Sequence, residues 1–384
     1  MTKMSSIIDR DLRGITALVR VDFNVPMKNS IVQDASRIRN ALPTVKFLTE
    51  GGARVVLISH MGKTNSFNME QSLQNVIGDV EREYASGIVF VKDCMQENAV
   101  EIIKNTPADH VILMENLRFH PEEELCDLSF AKRLAGLADI YINEAFSVSH
   151  RRHASIFGVP QFLPHALGLA FQREIRMVNN FFSCASSPRT CLVGGAKLST
   201  KVGLLKNLSK KVDKLIVGGK IAELFFFHEL HHLTISEEYR RDVLEVMDNI
   251  RQSSCELITP LDWITKNSGE RCDIGPRSVE LFKRHIGESK IVLWNGPMGI
   301  FEESRFIAGT ASLAREVARL TREGRLISIV GGGETGFVMN QLGLASDLSH
   351  VSTAGGAFLA YLEGMELPGL AAMKDASILL PRPS

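Results

Sequence analysis

The sequence predicts an α/β protein built as two parallel-sheet domains joined by a bridging helix. Three observations carry this. Short apolar runs alternate with longer amphipathic segments along the whole chain, and strands buried on both faces with helical crossovers make parallel sheet. The 384 residues are long for one core and suit two. The strand ends also differ in kind between the halves, cationic in the first and glycine-rich in the second.

In the first half, "ALVRVDF", "RVVLISH", "GIVFVKD", "HVILMENLRF" and "DIYINEAF" read as strands, because each is a short β-branched or aliphatic run closed by polar residues. "TCLVGG", "KLIVGG", "CELITPLDW", "KIVLWNG" and "LISIVGGG" read as strands in the second. "RIRNALPTVKFLTEGG" and "GTASLAREVARLTREG" carry helical periodicity and end on glycine. Pro160 and Pro164 punctuate a boundary, a helical stretch from His165 to Phe182 follows, and Ser186 to Pro188 closes it. That stretch reads as the bridge.

Composition excludes several classes. Hydrophobic residues are 45% and charged ones 23%, as in an ordinary globule. Formal net charge is zero, so neither nucleic acid nor an anionic membrane is indicated as a partner. Cys94, Cys126, Cys184, Cys191, Cys255 and Cys272 show no CxxC spacing, which fits single thiols in a reducing compartment. The N-terminal stretch is broken by charges, and no apolar run reaches spanning length; a cytoplasmic location is the expectation.

In parallel α/β sheets, ligands bind at the carboxyl ends of strands. In the first half Asp22 and Asn24, His60, Arg118, and His150 with Arg151 fall there. In the second half the positions are Gly194-Gly195, Gly218-Gly219, Gly296, Gly331 to Gly333 and, before a last helix, Gly355-Gly356. One half is suited to grip a small anion with side chains. The other lets a larger phosphate-bearing ligand lie against backbone, with unpaired N–H groups at helix starts. "LISIVGGGETGFVMNQ" is not a Walker loop, lacking Gly-Lys-Ser/Thr. It also lacks the GxGxxG spacing, which argues against a dinucleotide oxidoreductase.

The ordered stretches "VRVDFNVPM", "SHMGK", "ENLRF", "NEAFSVSHRRHAS", "GGAKLSTK", "WNGPMGIFE", "GGGET" and "HVSTAGGAFLAYLEG" resemble the phosphoglycerate kinase family along nearly the whole chain. The resemblance implies two Rossmann-like domains that close like a hinge, and reversible phosphoryl transfer between ATP and the carboxylate of 3-phosphoglycerate. The products are ADP and 1,3-bisphosphoglycerate, as in glycolysis, and Mg²⁺ is used. It also implies a monomer. By this reading residues 1–164 hold the acid, 165–183 bridge, 184–370 hold nucleotide, and 371–384 form a tail that returns to the first domain.

The resemblance assigns Asp22, Phe23, Asn24, Arg37, His60, Met61, Gly62, Lys63, Arg118 and Arg151 to the acid. It assigns Lys197, Lys201, Asn295, Glu302, Gly331, Gly332, Gly333, Glu334, Thr335, Gly355 and Gly356 to the nucleotide, with Glu334 as Mg²⁺ ligand. Arg37 and Lys201 are the catalytic pair. Arginine suits the acid because its planar fork meets carboxylate and phosphate oxygens in pairs. Retained Arg37, Lys201 and basic patch favour an active kinase over a relative that only binds ligand.

Plainer readings hold elsewhere. A lone arginine after a strand is ordinarily a solvated end; four cationic ends in one half argue against that here. His228, His231 and His232 read as an exposed helix face or end rather than a metal cluster. Met177 and the Phe181-Phe182 pair read as packing, "HPEEE" (120–124) as a solvated loop, and Trp294 as core. Against the family pattern, Glu334 replaces an aspartate, Lys220 and Ala354 stand in glycine positions, Lys63 replaces an arginine, and Glu144 and Ser147 are milder departures. Lys220 either crowds the adenine position or folds outward. Gly158 to Pro160 and the bridging helix are candidate hinge material.

Overall fold

The computed structural model describes residues 7, 11–107, 109–183, 188–197, 200–230 and 237–374. Cys184, His231, His232 and the last ten residues of the expected tail lie outside them, as does the His228 side chain. The strands in chain order are β1 (Thr16–Arg20), β2 (Met27–Lys28), β3 (Ile31–Val32), β4 (Arg54–Ile58), β5 (Ile88–Val91), β6 (Val111–Met114), β7 (Ile140–Asn143) and β8 (His165–Leu167). They continue with β9 (Arg189–Val193), β10 (Lys214–Val217), β11 (Glu256–Ile258), β12 (Trp263–Thr265), β13 (Arg271–Ile274), β14 (Ile291–Asn295), β15 (Ile327–Gly331) and β16 (His350–Val351).

Two six-stranded sheets result, ordered β5-β6-β4-β1-β7-β8 and β11-β10-β9-β14-β15-β16. Every neighbouring pair in both is parallel. The central strands are buried along nearly their whole length, which is why they read as continuous apolar runs. In the first sheet the chain runs from β1 outward to one side and resumes beyond it at β7. In the second it runs from β9 and resumes at β14. The carboxyl ends of β1/β7 and β9/β14 therefore flank topological switch points, where such sheets bind ligands.

Helices cover these sheets by matching one apolar stripe to each. In the helix Ser36–Glu50, Ile38, Ala41, Val45 and Leu48 are buried, spaced three or four apart. Burying a side chain such as Leu48 contributes about 1.5–3 kcal/mol. Its truncation to alanine would cost about 2–5 kcal/mol, because a cavity is added to the lost transfer energy. The helix stops at Gly51, and Gly52 follows in the left-handed region at φ +85° that favours glycine. The helix Ala308–Arg322 buries Ala311, Ala314, Val317 and Ala318, small residues that let it lie close beneath β15.

The chain divides into two compact units, one of residues up to Glu174 together with those from Glu366, the other of Ile175–Met365. The division falls inside the helix Leu169–Ser183. Three expectations change. The helix expected from His165 begins at Leu169; His165–Leu167 instead forms β8 against β7, because Pro164 and Gly168 isolate a run too short to show its period. "CELITPLDW" is not one strand but β11 and then β12, the latter hairpinned to β13. "HPEEE" is not a solvated loop: Pro121–Glu124 is a short helix whose Glu123 is fully buried, accepting from the Ser155 N–H at 2.8 Å. Met177 is half-buried and Phe181 and Phe182 meet edge to face, as packing requires. Gly158 is buried, with no room for a side chain against Ala131.

Candidate active site

At the first switch point, β1 ends in Arg20 and leads through Val21 into Asp22, Phe23 and Asn24. Val21 N–H extends the pairing to the Ile58 carbonyl at 3.0 Å, and Phe23 N–H is held by Ser59 Oγ at 2.9 Å. Burial works against the Asp22 charge. Arg37 at 2.9 Å, with the Ser147 hydroxyl and Arg20, nonetheless holds the carboxyl below its usual range. Arg37 also donates to the Asn24 carbonyl at 2.8 Å, and the Asn24 side chain accepts the Gly62 N–H at 3.0 Å.

His60 is 2% exposed. Burial, then the Arg20 guanidinium, push it well below the ordinary imidazole range against the pull of Asp22. Arg20 Nη2 lies 3.3 Å from His60 Nδ1. A guanidinium only donates, so Nδ1 is the acceptor and the proton sits on Nε2. That buried Nε2 has no partner among the described residues. A buried donor without a partner costs about 1–3 kcal/mol, so it is expected to meet a ligand oxygen.

Arg118 donates to the Gly62 carbonyl at 2.8 Å, and its Nε lies 3.1 Å from Glu124 without hydrogen-bond alignment. Arg151 is half-buried, and its charge acts on His60, Arg118 and His153. Met61 is buried with its N–H on Asn116 at 3.0 Å, whereas Lys63 is exposed beyond Gly62. The structure thus gathers Asp22, Asn24, Arg37, His60, Gly62, Arg118 and Arg151 at one end of the sheet.

Sequence reasoning missed Arg20 and Ser147. Arg20 is fully buried and donates to Ser155 Oγ at 2.8 Å; Ser155 in turn donates to Glu123 at 2.5 Å. The Ser147 hydroxyl donates to Asp22 Oδ2, the oxygen that also meets Arg37.

At the second switch point two loops meet backbone to backbone. A Cβ on Gly194 would come within 2.7 Å of the Gly296 carbonyl oxygen, and one on Gly219 within 2.7 Å of the Gly195 carbonyl oxygen. Gly296 adopts φ +97°, as does Gly332 at the start of the helix Gly333–Gln341. Trp294 is core, as expected, and its indole N–H props the loop through the Gly296 carbonyl at 2.8 Å. Asn295 ties the strand ends together. It donates to the Gly331 carbonyl at 2.9 Å and accepts from Lys201 Nζ. Thr335 Oγ1 accepts the Gly296 N–H at 2.8 Å.

Lys201 is mostly buried, and burial lowers its pKa against the opposing pull of Glu334 and Glu363. Glu334 and Glu302 are exposed and line a cavity of about 220 Å³ with Gly195, Gly219, Trp263 and Phe301. Trp263 lies beyond what motif reading found, because the β12–β13 hairpin delivers it. Lys220 stands at the rim and turns to Glu270 at 3.1 Å. Lys197 is exposed. Gly331 is closed over by the Phe358 ring from the helix Gly356–Leu362, which Gly355 precedes, and Gly333 is open. A larger cavity of about 850 Å³, lined by Leu125, Phe157 and His165 among others, lies elsewhere in the first unit and contains none of these groups.

A cationic switch point in one α/β unit and a glycine-lined, lysine-bearing one in the other define an enzyme that handles phosphate-bearing anions. The model of the family described as phosphoglycerate kinase matches residues 7–365. The phosphoglycerate kinase of Wolbachia pipientis from Culex pipiens is 39% identical over 98% of this chain and 100% of its own. That of Dictyoglomus turgidum is 38% identical over 96% and 97%. The solved phosphoglycerate kinases of Coxiella burnetii and Pyrococcus horikoshii superpose with TM-scores of 0.83 and 0.84, at 31% and 27% identity. They cover 96% and 97% of this chain, and 98% and 99% of theirs. The chain belongs to the phosphoglycerate kinase family, kinases whose phosphate acceptor is a carboxylate.

Proposed function

We propose that the first unit holds 3-phosphoglycerate, the second holds ATP or ADP, and closure brings the two ligands in line for reversible phosphoryl transfer. The observation that carries this is the partnerless Nε2–H of His60, buried among Arg20, Arg118 and Arg151. A neutral donor flanked by guanidinium groups suits the oxygens of a small polyanion. Asp22 and Asn24 would meet the acid's hydroxyl.

No general base is needed. The attacking carboxylate is already ionised at neutral pH, since an unperturbed carboxyl titrates near ~4. Its difficulty is repulsion from the γ-phosphate, so catalysis is positioning and charge neutralisation. Arg37 and Lys201 would offset charge on the transferring group, and the N–H groups opening the helix Gly333–Gln341 would add oriented donors. Exclusion of water on closure would prevent hydrolysis. The nucleotide would lie in the 220 Å³ cavity, its ribose hydroxyls on Glu302 and its phosphates near Asn295, Lys201 and Thr335.

Glu334 suits Mg²⁺: it is an exposed carboxylate on the first turn of a helix at the cavity wall, and Mg²⁺ is ordinarily held by one or two carboxylates plus substrate phosphates. The ion would neutralise phosphate charge. A monomer working in the cytoplasm is part of the same proposal. The test is a coupled assay of transfer from ATP to 3-phosphoglycerate, with Arg37→Ala and Lys201→Ala as controls. Ligand binding without turnover in the unaltered chain would contradict the proposal.

A further inference from the structure

Away from both switch points, three metal-ligating side chains converge at the outer edge of the first sheet. β5 ends at Val91, and Asp93 and Cys94 follow it; β6 leads through the turn Leu117–Phe119 to His120. Parallel pairing of β5 with β6 sets the two strand ends side by side. One ligand atom each from the Asp93 carboxylate, the Cys94 thiol and the His120 ring lies within 4.8 Å of the other two. Nε2 stands 3.1 Å from Asp93 Oδ1. Cys94 is buried, while Asp93 and His120 are partly exposed, so the cluster opens to solvent on one side.

The donors are held in place. Asp93 Oδ1 accepts the Met95 N–H at 2.7 Å, and the His120 ring packs against Phe130 with centroids 5.3 Å apart. The nearby cation, Arg133, is engaged with the Met95 carbonyl at 2.8 Å. Buried Glu123 adds negative charge beside Cys94.

We propose that Asp93, Cys94 and His120 bind a thiophilic divalent cation of the zinc class. One thiolate, one imidazole and one carboxylate form the mixed donor set that such ions take, with a fourth position open to water. Mg²⁺ and Ca²⁺ prefer all-oxygen sets and fit poorly. Binding breaks the Cys94 S–H bond, forms a metal–sulfur bond and passes the proton to solvent, and the His120 Nε2 proton that Asp93 accepts is also given up, leaving the ring's proton on Nδ1. It also replaces the Asp93–His120 hydrogen bond with metal bonds to both partners.

The test is a Co²⁺ titration of the full chain followed by absorption, then displacement by Zn²⁺. The expected result is one Co²⁺ per chain, with a sulfur-to-cobalt charge-transfer band and the visible spectrum of a tetrahedral site. The band disappears in Cys94→Ser and persists in Cys126→Ser. His120→Gln weakens affinity by roughly tenfold or more, since even outer partners of metal ligands are worth that much. Phosphoryl-transfer activity is unchanged in Cys94→Ser. Should that variant not fold, the loss of affinity in His120→Gln tests the site in its place. Absence of the band in the folded, unaltered chain overturns the proposal, as does a band that survives in Cys94→Ser. The cluster is then only a His–Asp hydrogen bond above a buried thiol.

Discussion

Arg37 joins the Asp22 carboxylate to the Asn24 backbone, so in the proposed function it would organise the acid's surroundings besides carrying charge. Arg37→Ala is expected to lower kcat by roughly 10²–10³, the usual loss for one preorganised contact to developing charge. A coupled assay reads it, and a change confined to KM would show that Arg37 serves binding alone. His60 gives a second expectation at this scale. Burial and Arg20 disfavour the charged ring, so its protonation step should lie below that of a free histidine. Nitrogen-15 NMR of the imidazole should report a single Nε2–H tautomer at neutral pH, and titration at or above the free-histidine value would refute it. His60 and Arg118 were legible because each follows an apolar run that ends at a strand's carboxyl edge; Arg37, in the helix Ser36–Glu50, was reached only through the family resemblance. Arg20 was not. Inside "ALVRVDF" it reads as an ordinary strand position, and its partner Ser155 lies 135 residues away. Ser147 reads as a mild departure because nothing local shows that its hydroxyl reaches Asp22.

Single turns and caps decide how the elements present these groups. Glu144, just past β7, caps the helix Leu169–Ser183. It accepts from the Ala170 N–H at 3.0 Å and from the Thr44 hydroxyl at 2.6 Å. Burial outweighs these bonds and raises its carboxyl from 4.5 to about 7. The folded state therefore holds this proton more tightly than the unfolded chain. The group's contribution to stability is full below about pH 4.5 and declines as pH rises to about 7. Glu144→Gln removes that decline. The stability difference between the two proteins should shift against the unaltered chain by about 3 kcal/mol across this window. Urea unfolding at each end measures it, and a constant difference would contradict the assignment. Glu334→Asp, on the first turn of the helix Gly333–Gln341, should change activity modestly and sharpen its Mg²⁺ dependence; complete loss of turnover would contradict a shared metal role for the two carboxylates. The long parallel strands were legible from their apolar runs. β8 and the β12–β13 hairpin were not, because three or four residues carry too little periodicity to separate strand from helix, and their pairing is a tertiary choice.

For the molecule as a whole, two sheets carry different chemistry at their switch points, and in the proposed function they would divide the ligands between two units. That difference in chemistry was visible as cations closing strands in one half and glycines closing them in the other. The second sheet's glycines are fixed by close approach between loops, and the first sheet's cations by hydrogen bonds to backbone and to Asp22. The most direct measurement is calorimetric binding of 3-phosphoglycerate and of ADP, each alone, to the unaltered chain, to Arg118→Ala and to Lys201→Ala. The account predicts that Arg118→Ala loses at least tenfold in affinity for the acid and keeps its affinity for ADP, with the reverse for Lys201→Ala, since a charge-assisted hydrogen bond is worth about 1.5–3 kcal/mol. If either substitution weakens both ligands equally, or each weakens the other unit's ligand, the division of labour between the two sheets is wrong.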